Sequence, residues 1–320
     1  MLRGILPIVF MPFTDNGDID EVGLRNIVRF ELAGGIDGIG VNGFATEAYK
    51  LTDDERRRAV EIVAHEVAGE VPLFIGLAPG STKAAIAQAK EFEKYQPSAF
   101  MVLPPATMNN GERALVDHYV NLGNAVDTAI MVQQSPHIPQ YAHCGLSAER
   151  LAEMAGGSSN IKYFKIEGLG TPERMAALRL LIDSSNVGLF GGVGGITFTD
   201  ELKAGANGVI PGVGFNEVFT ESWKAYNQSR HEDVTQILRT HQTLVDVVSA
   251  KGHEYSLHAR KTLMKRAGYI KSSHVRGPTV PFTEQDAKQL FEVVDSFELR
   301  IGKAKSSARG KRSYTSSQAT

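Results

Sequence analysis

Short, continuously apolar runs alternate with longer stretches of helical period through the first 230 or so residues. Runs at 4–10, 38–42, 72–77, 99–103, 129–133, 161–165, 187–190 and 208–212 predict strands. The stretches between and after them, 20–33, 53–67, 81–95, 111–126, 147–156, 172–183, 195–204 and 215–228, predict helices. The strand runs lack the polar alternation of a sheet with one wet face, so both faces are expected to be covered. Helix starts carry side-chain caps: Thr52, Ser81, Ser147 and Thr171 stand just before the helical period begins. Regular strand–helix alternation gives parallel strands joined by right-handed crossovers. Eight such units predict closure into a (β/α)8 TIM barrel, an α/β fold; a doubly wound open sheet is the structural alternative.

Beyond residue 230 the pattern turns purely helical, at 231–250, 255–267 and 283–297. The expected organisation is a barrel over 1–230, a C-terminal helical extension over 231–302 packed on it, and a basic tail over 303–320 expected to be disordered.

Composition narrows the function classes. The net charge is −2, but the tail holds five basic residues and no acidic one, so residues 1–302 carry −7. An acidic body argues against a nucleic-acid partner. One cysteine, Cys144, excludes an internal disulfide framework and a cysteine-rich zinc site. No apolar run approaches the roughly 18–20 residues of a membrane span, and Pro7 and Pro12 interrupt any secretory signal pattern. A soluble, cytoplasmic protein with no membrane partner is expected.

Barrel chemistry belongs to the loops at the strands' C-terminal ends. Lys165 closes the sixth apolar run and Glu167 follows two positions later. On an extended segment the two share one face, so both can point into the barrel mouth. Desolvation there would favour the neutral amine and make it a nucleophile; a lysine snorkelling from a strand edge is the plainer reading. Asn42-Gly43-Phe44-Ala45-Thr46-Glu47 follows the second strand, a loop of small residues whose backbone N–H groups can cradle a carboxylate; a tight turn with no ligand fits it as well. Gln133, Gln134 and His137 follow the fifth strand, and His137 is a candidate acid or base or a solvated loop histidine. Glycines cluster after the seventh strand (Gly191, Gly192, Gly194, Gly195) and the eighth (Gly212, Gly214). Neither cluster is a dinucleotide fingerprint, there is no P-loop, and no His, Asp or Glu set has metal-ligand spacing, so no cofactor or metal is expected.

Four motifs together resemble the N-acetylneuraminate lyase / dihydrodipicolinate synthase family of class I, Schiff-base barrel enzymes. They are Gly4-Ile5-Leu6-Pro7 with Pro12-Phe13, Gly43-Phe44-Ala45-Thr46-Glu47 in place of G-x-x-G-E, Tyr163-Phe164-Lys165-Ile166-Glu167, and Gly208-Val209-Ile210-Pro211-Gly212. The likeness covers roughly residues 1–300. It departs at two points: Thr46 replaces the second glycine of G-x-x-G-E, and Gln133 stands where the family's fifth-strand tyrosine stands. The arginine that the synthases place after that loop is also missing, with Ile138 there. A subgroup similar in these departures is the 2-keto-3-deoxy-sugar-acid dehydratases.

The resemblance implies a homo-oligomer, tetramer or dimer, acting on a small-molecule 2-keto acid. It implies a lyase in which Lys165 forms an iminium with the C2 ketone and a base takes the C3 proton, Glu167 being the candidate and the lysine amine or a water the substitutes. An amide has no accessible pKa, so Gln133 cannot relay protons as a tyrosine does. That favours elimination of water from a 2-keto-3-deoxy sugar acid (2-keto-3-deoxyarabonate-like), a hydro-lyase reaction. A retro-aldolase or a synthase-like condensation on pyruvate is the alternative, and a non-catalytic keto-acid-binding barrel a further one. The substrate carboxylate is assigned to the Ala45–Thr46 backbone and the Thr46 hydroxyl, with Glu47 holding the loop. Gln133, Gly192 and Gly194 are expected contacts for substrate hydroxyls.

Overall fold

The computed structural model describes residues 1–106, 111–249 and 251–303. The tail from 304 onward, and Ala250 at the end of a predicted helix, lie outside these residues.

Eight parallel strands run in sequential order: β1 (Gly4–Ile5), β2 (Ile39–Val41), β3 (Leu73–Leu77), β4 (Ala99–Val102), β5 (Ile130–Gln134), β6 (Ile161–Ile166), β7 (Gly188–Gly191) and β8 (Gly208–Val209). β1 pairs with β8 in parallel. The chain beyond β1 then bonds to β2 as well: Gly40 N donates to Pro7 O (2.8 Å) and Val9 N to Gly40 O (2.9 Å). The ring is therefore closed, a (β/α)8 TIM barrel, which excludes the open doubly wound sheet. The ladders at this seam are shorter than the apolar runs at 4–10 and 208–212 predict. Pro7 and Pro211 have no N–H to give, so pairing there falls to single bridges such as Ile8 with Gly40 and Gly212.

The strands' two faces fill two cores. Leu6, Phe74, Met101, Met131, Tyr163 and Phe190 plug the barrel's interior. Phe100, Val102, Ile130, Val132, Phe164 and Ile166 point outward and meet the helices. Covering both faces is what makes the runs continuously apolar.

Helices α1 (Glu21–Leu32), α2 (Asp53–Val67), α3 (Thr82–Phe92), α4 (Gly111–Gly123), α5 (Ala148–Gly157), α6 (Thr171–Arg179), α7 (Phe198–Lys203) and α8 (Asn216–Asn227) each follow a strand. Thr52 caps α2 reciprocally with Glu55, and Ser81 and Ser147 accept from Ala84 N and Arg150 N. Thr171 does not cap α6. Gly170, at φ 70°, holds that position, and the Thr171 hydroxyl donates back to Gly168 O at 2.7 Å.

Four further helices follow: α9 (His231–Thr240), α10 (Gln242–Ser249), α11 (His253–Arg266) and α12 (Glu284–Asp295). The sequence predicts one helix over 231–250, and the chain breaks it at His241. There the imidazole Nδ1 lies 2.8 Å from the Ile237 carbonyl and competes for the backbone acceptor of the next turn. α11 begins just past α10 and lies over the barrel mouth, its residues meeting both the β2 and the β8 loops. No helix of the described residues is long and apolar enough to cross a membrane.

The β1–β8 seam sets a sharp steric test. Gly208 has φ 150°, and a Cβ there would stand 1.9 Å from Gly4 O. Gly69, at φ 77°, has nothing within 4 Å of its Cβ position. Gly208→Ala is expected to destabilise by about 3 kcal/mol or more, or to abolish folding, against about 1 kcal/mol for Gly69→Ala. Urea titration of the two variants measures the difference.

Candidate active site

The inward side chains of two neighbouring strands build the site. On β6 and the residue beyond it, Tyr163, Lys165 and Glu167 succeed each other on the inner face at the two-residue period of a strand. On β5 and the residue beyond it, Met131, Gln133 and Ser135 do the same. The register sets Met131 against Tyr163 and Gln133 against Lys165. Tyr163 lies in the interior core, and Lys165 and Glu167 sit just above it, both buried. Gln134 points the other way, where its amide oxygen accepts from Leu146 N at 3.0 Å.

Lys165 Nζ lies 3.1 Å from Glu167 Oε1. Around that carboxylate the donors are complete. Ser135 Oγ donates to Oε2 at 2.6 Å, Gln133 Nε2 to Oε2 at 3.1 Å, and Val193 N to Oε1 at 3.2 Å. Burial alone pushes Glu167 up, but the Lys165 charge, then the hydrogen bonds and His137, outweigh it and hold the carboxyl well below the usual range. The β7 loop is shaped for this contact. Val193 stands at φ 48°, a conformation β-branched residues avoid, which aims its N–H at Glu167. A Cβ on Gly192 would fall 2.1 Å from Glu167 Oε1 and 2.9 Å from Lys165 Cε, so only glycine fits there.

Above the pair opens a cavity of about 550 Å³. Lys165, Glu167, Ala45, Gly194, His137 and Arg260 are among its walls, with Phe44, Tyr49 and His253 at the side of the β2 loop. His137 is exposed at the rim. Hydrogen bonds tie this rim together: His253 Nε2 lies 3.1 Å from Phe44 O, and Glu254 takes Lys50 Nζ at 2.6 Å and the Tyr49 hydroxyl.

The other residues singled out in the sequence divide. Ala45 and Gly194 face the cavity. Thr46 does not: it is fully buried, its hydroxyl donates to Val9 O at 2.7 Å and its N–H to Gly43 O at 3.1 Å. The Thr46 hydroxyl hydrogen is thus committed to Val9 O rather than turned to the cavity, and of the two loop amides the Ala45 N–H is the one left without an acceptor among the described residues. Gly192 and Gln133 are likewise absent from the cavity wall; Gly192 makes room for the ion pair, and Gln133 bonds Ser135 (3.0 Å) and Glu167 rather than a ligand. Glu47 lies beneath the loop, fully buried, at φ 56°. Lys261 of α11 donates to it, and Lys50 Nζ lies 3.2 Å away. Lys261 also donates to His274 O at 2.9 Å. Burial lowers the Lys261 pKa to about 8, with Glu47 opposing the shift.

Four contributors escape the sequence reading. Ser135 is legible afterwards, as the next inward position after Gln133. Val193 depends on a loop conformation, and Arg260 and Lys261 arrive from a helix some 100 residues downstream that carries no motif of its own.

The model of the dihydrodipicolinate synthetase family matches residues 1–296. L-2-keto-3-deoxyarabonate dehydratase of Azospirillum brasilense is 29% identical over 304 residues, 93% of this chain and 96% of that protein. The 4-hydroxy-tetrahydrodipicolinate synthase of Acidobacterium capsulatum is 24% identical, over 94% of this chain and 97% of its own. Among solved structures, dihydrodipicolinate synthase from Thermotoga maritima superposes with a TM-score of 0.83 at 23% identity, covering 92% of this chain and 98% of that one; at that identity the likeness speaks for the fold.

Removing the cation that holds Glu47 tests the β2 loop. Lys261→Met leaves a buried carboxylate in a left-handed backbone conformation with Lys50 as its remaining partner. A loss of about 3 kcal/mol in denaturant unfolding is expected. Lys261→Met with Glu47→Gln should recover part of it, because the pair is then removed together.

Proposed function

Since the chain belongs to the dihydrodipicolinate synthetase family, whose members are class I lyases, we propose that it dehydrates a 2-keto-3-deoxy sugar acid through a Schiff base on Lys165. The observation that carries this reading is a buried amine 3.1 Å from a carboxylate on a cavity floor, with an amide, Gln133, where a titratable relay would stand.

Lys165 passes a proton to the Glu167 carboxylate 3.1 Å away and the freed amine adds to the C2 ketone; Glu167 returns that proton to the departing C2 hydroxyl, and loss of water leaves a protonated carbon–nitrogen double bond facing a carboxylate again. Glu167 takes the C3 proton. In the resting site its low pKa makes it a weak base. Once the cation it faces is an iminium, proton transfer turns a buried ion pair into a neutral enamine and a neutral acid, and a low-dielectric site favours that change. The enamine electrons expel the C4 hydroxyl, and the proton held on Glu167 leaves with it as water. The double bond shifts to C3–C4, and hydrolysis of the imine frees Lys165. Ser135 and Gln133 keep the Glu167 carboxylate aimed throughout. The substrate carboxylate bonds the Ala45 N–H of the β2 loop.

A retro-aldol course uses the same iminium but needs a base on the C4 hydroxyl, and Gln133 offers none. Pyruvate among the products would therefore overturn dehydration.

Lys165→Ala should abolish turnover, by at least about a thousandfold; activity within tenfold of wild type would refute the Schiff-base scheme. Glu167→Gln should retain the imine, seen by borohydride reduction, while C3–H exchange with deuterated solvent and turnover both fall by about 10²–10⁴-fold. Exchange at the wild-type rate would remove Glu167 as the base.

A further inference from the structure

One buried cation on the cavity wall makes no ion-pair contact with a carboxylate among the described residues. Lys165 faces Glu167 at 3.1 Å, and Glu254 takes Lys50 at 2.6 Å. Arg260 of α11 is buried, and among the described residues no carboxylate lies within ion-pair distance of it. Its guanidinium is fixed from behind. The carbon at its centre lies 4.7 Å from the Phe215 ring centroid, Nη1 donates to Val213 O, and Nε donates to Ser256 Oγ at 3.2 Å. Nη2 has no acceptor among the described residues. Burial lowers the pKa to about 10 and the more distant Glu31 charge opposes the shift, so the group stays a cation at neutral pH; the Glu31 oxygens themselves are taken by Gly214 N at 3.0 Å and Asn216 Nδ2 at 2.7 Å.

Two glycines leave this cation bare on the cavity side. A Cβ on Gly212 would lie 3.0 Å from Arg260 Cζ, and one on Gly194 would lie 3.9 Å from Nη2. Gly194 is two residues beyond Gly192, the glycine against Lys165, and their Cα atoms are at most about 7 Å apart. The imine-forming amine and the bare guanidinium thus address neighbouring parts of one cavity, and a substrate bonded at C2 extends from one towards the other.

A buried guanidinium with no carboxylate in contact is costly, and an anion with bidentate geometry offsets that cost. One positive charge balances one carboxylate, whereas a phosphate dianion would leave a negative charge uncompensated. Building on the Schiff-base reading, we infer that Arg260 holds a second carboxylate at the far end of the substrate, so the acid taken here is a 2-keto-3-deoxy diacid. Arg260 then selects the substrate by its tail, while Lys165 and Glu167 act on its head.

The test compares imine formation by keto acids that differ only at the far end: 2-oxopentanoate with 2-oxoglutarate, and 2-oxohexanoate with 2-oxoadipate. Borohydride-trapped adduct is measured by mass against ligand concentration. In the wild-type protein one diacid should half-saturate trapping at a concentration about 10- to 100-fold below that of its monoacid partner. In Arg260→Met that ratio should fall to about one, and in Arg260→Lys, which keeps the charge but not the fork, it should be intermediate. Pyruvate trapping by the same variants reports whether the site is folded, and the wild-type ratio decides the matter even if Arg260→Met does not fold. A wild-type ratio near one overturns the inference. So does an equal loss for monoacid and diacid in Arg260→Met, which would make Arg260 the anchor of the C1 carboxylate, or a stronger preference for a phosphorylated 2-keto acid. Absence of any adduct, with pyruvate included, would overturn the Schiff-base reading itself and this inference with it.

Discussion

A buried ammonium and a buried carboxylate held 3.1 Å apart constrain everything around the mouth of this barrel. Neither charge is tolerated there alone, so the surroundings are organised to satisfy both. β5 contributes Gln133 and Ser135 on its inner face, and β7 contributes a strained Val193 that aims its N–H and a Gly192 that stays out of the way. The same arrangement suits the proposed Schiff-base chemistry. A carboxylate kept ionised by donors is a poor base until the cation beside it can be neutralised through carbon, and an iminium provides that opportunity.

The fold was legible because its physics is local. Strands covered on both faces must be apolar throughout, and helices between them need caps, so the runs and Thr52, Ser81 and Ser147 told the story position by position. Errors fell where a local rule yields to tertiary context. The prolines at the barrel seam shorten β1 and β8, His241 splits a helix, and Gly170 takes the capping position next to Thr171.

For the site, spacing was informative and chemistry less so. Lys165 and Glu167 share a face because a strand repeats every two residues, and Gln133 joins them through register. Thr46, by contrast, has the right functional group in the right loop, yet its hydroxyl turns into the protein to meet Val9 O. Nothing in the one-dimensional pattern distinguishes those two orientations. Gly192, read as a place where a ligand approaches, is a place where Glu167 and Lys165 approach. Arg260 and Lys261 carry the same lesson from a distance: adjacent on one helix, one supports the β2 loop through Glu47 and the other lies bare on the cavity wall, and only the docking of α11 reveals either.

In the proposed mechanism water leaves while the substrate is bonded to Lys165. Borohydride added during turnover of a 2-keto-3-deoxy acid, followed by intact-mass and peptide analysis, tests it directly. The expected product is a reduced adduct on the peptide carrying Lys165, lighter by one water than the adduct of the intact acid. An adduct of pyruvate size, or one mapped to the buried Lys261, would contradict it.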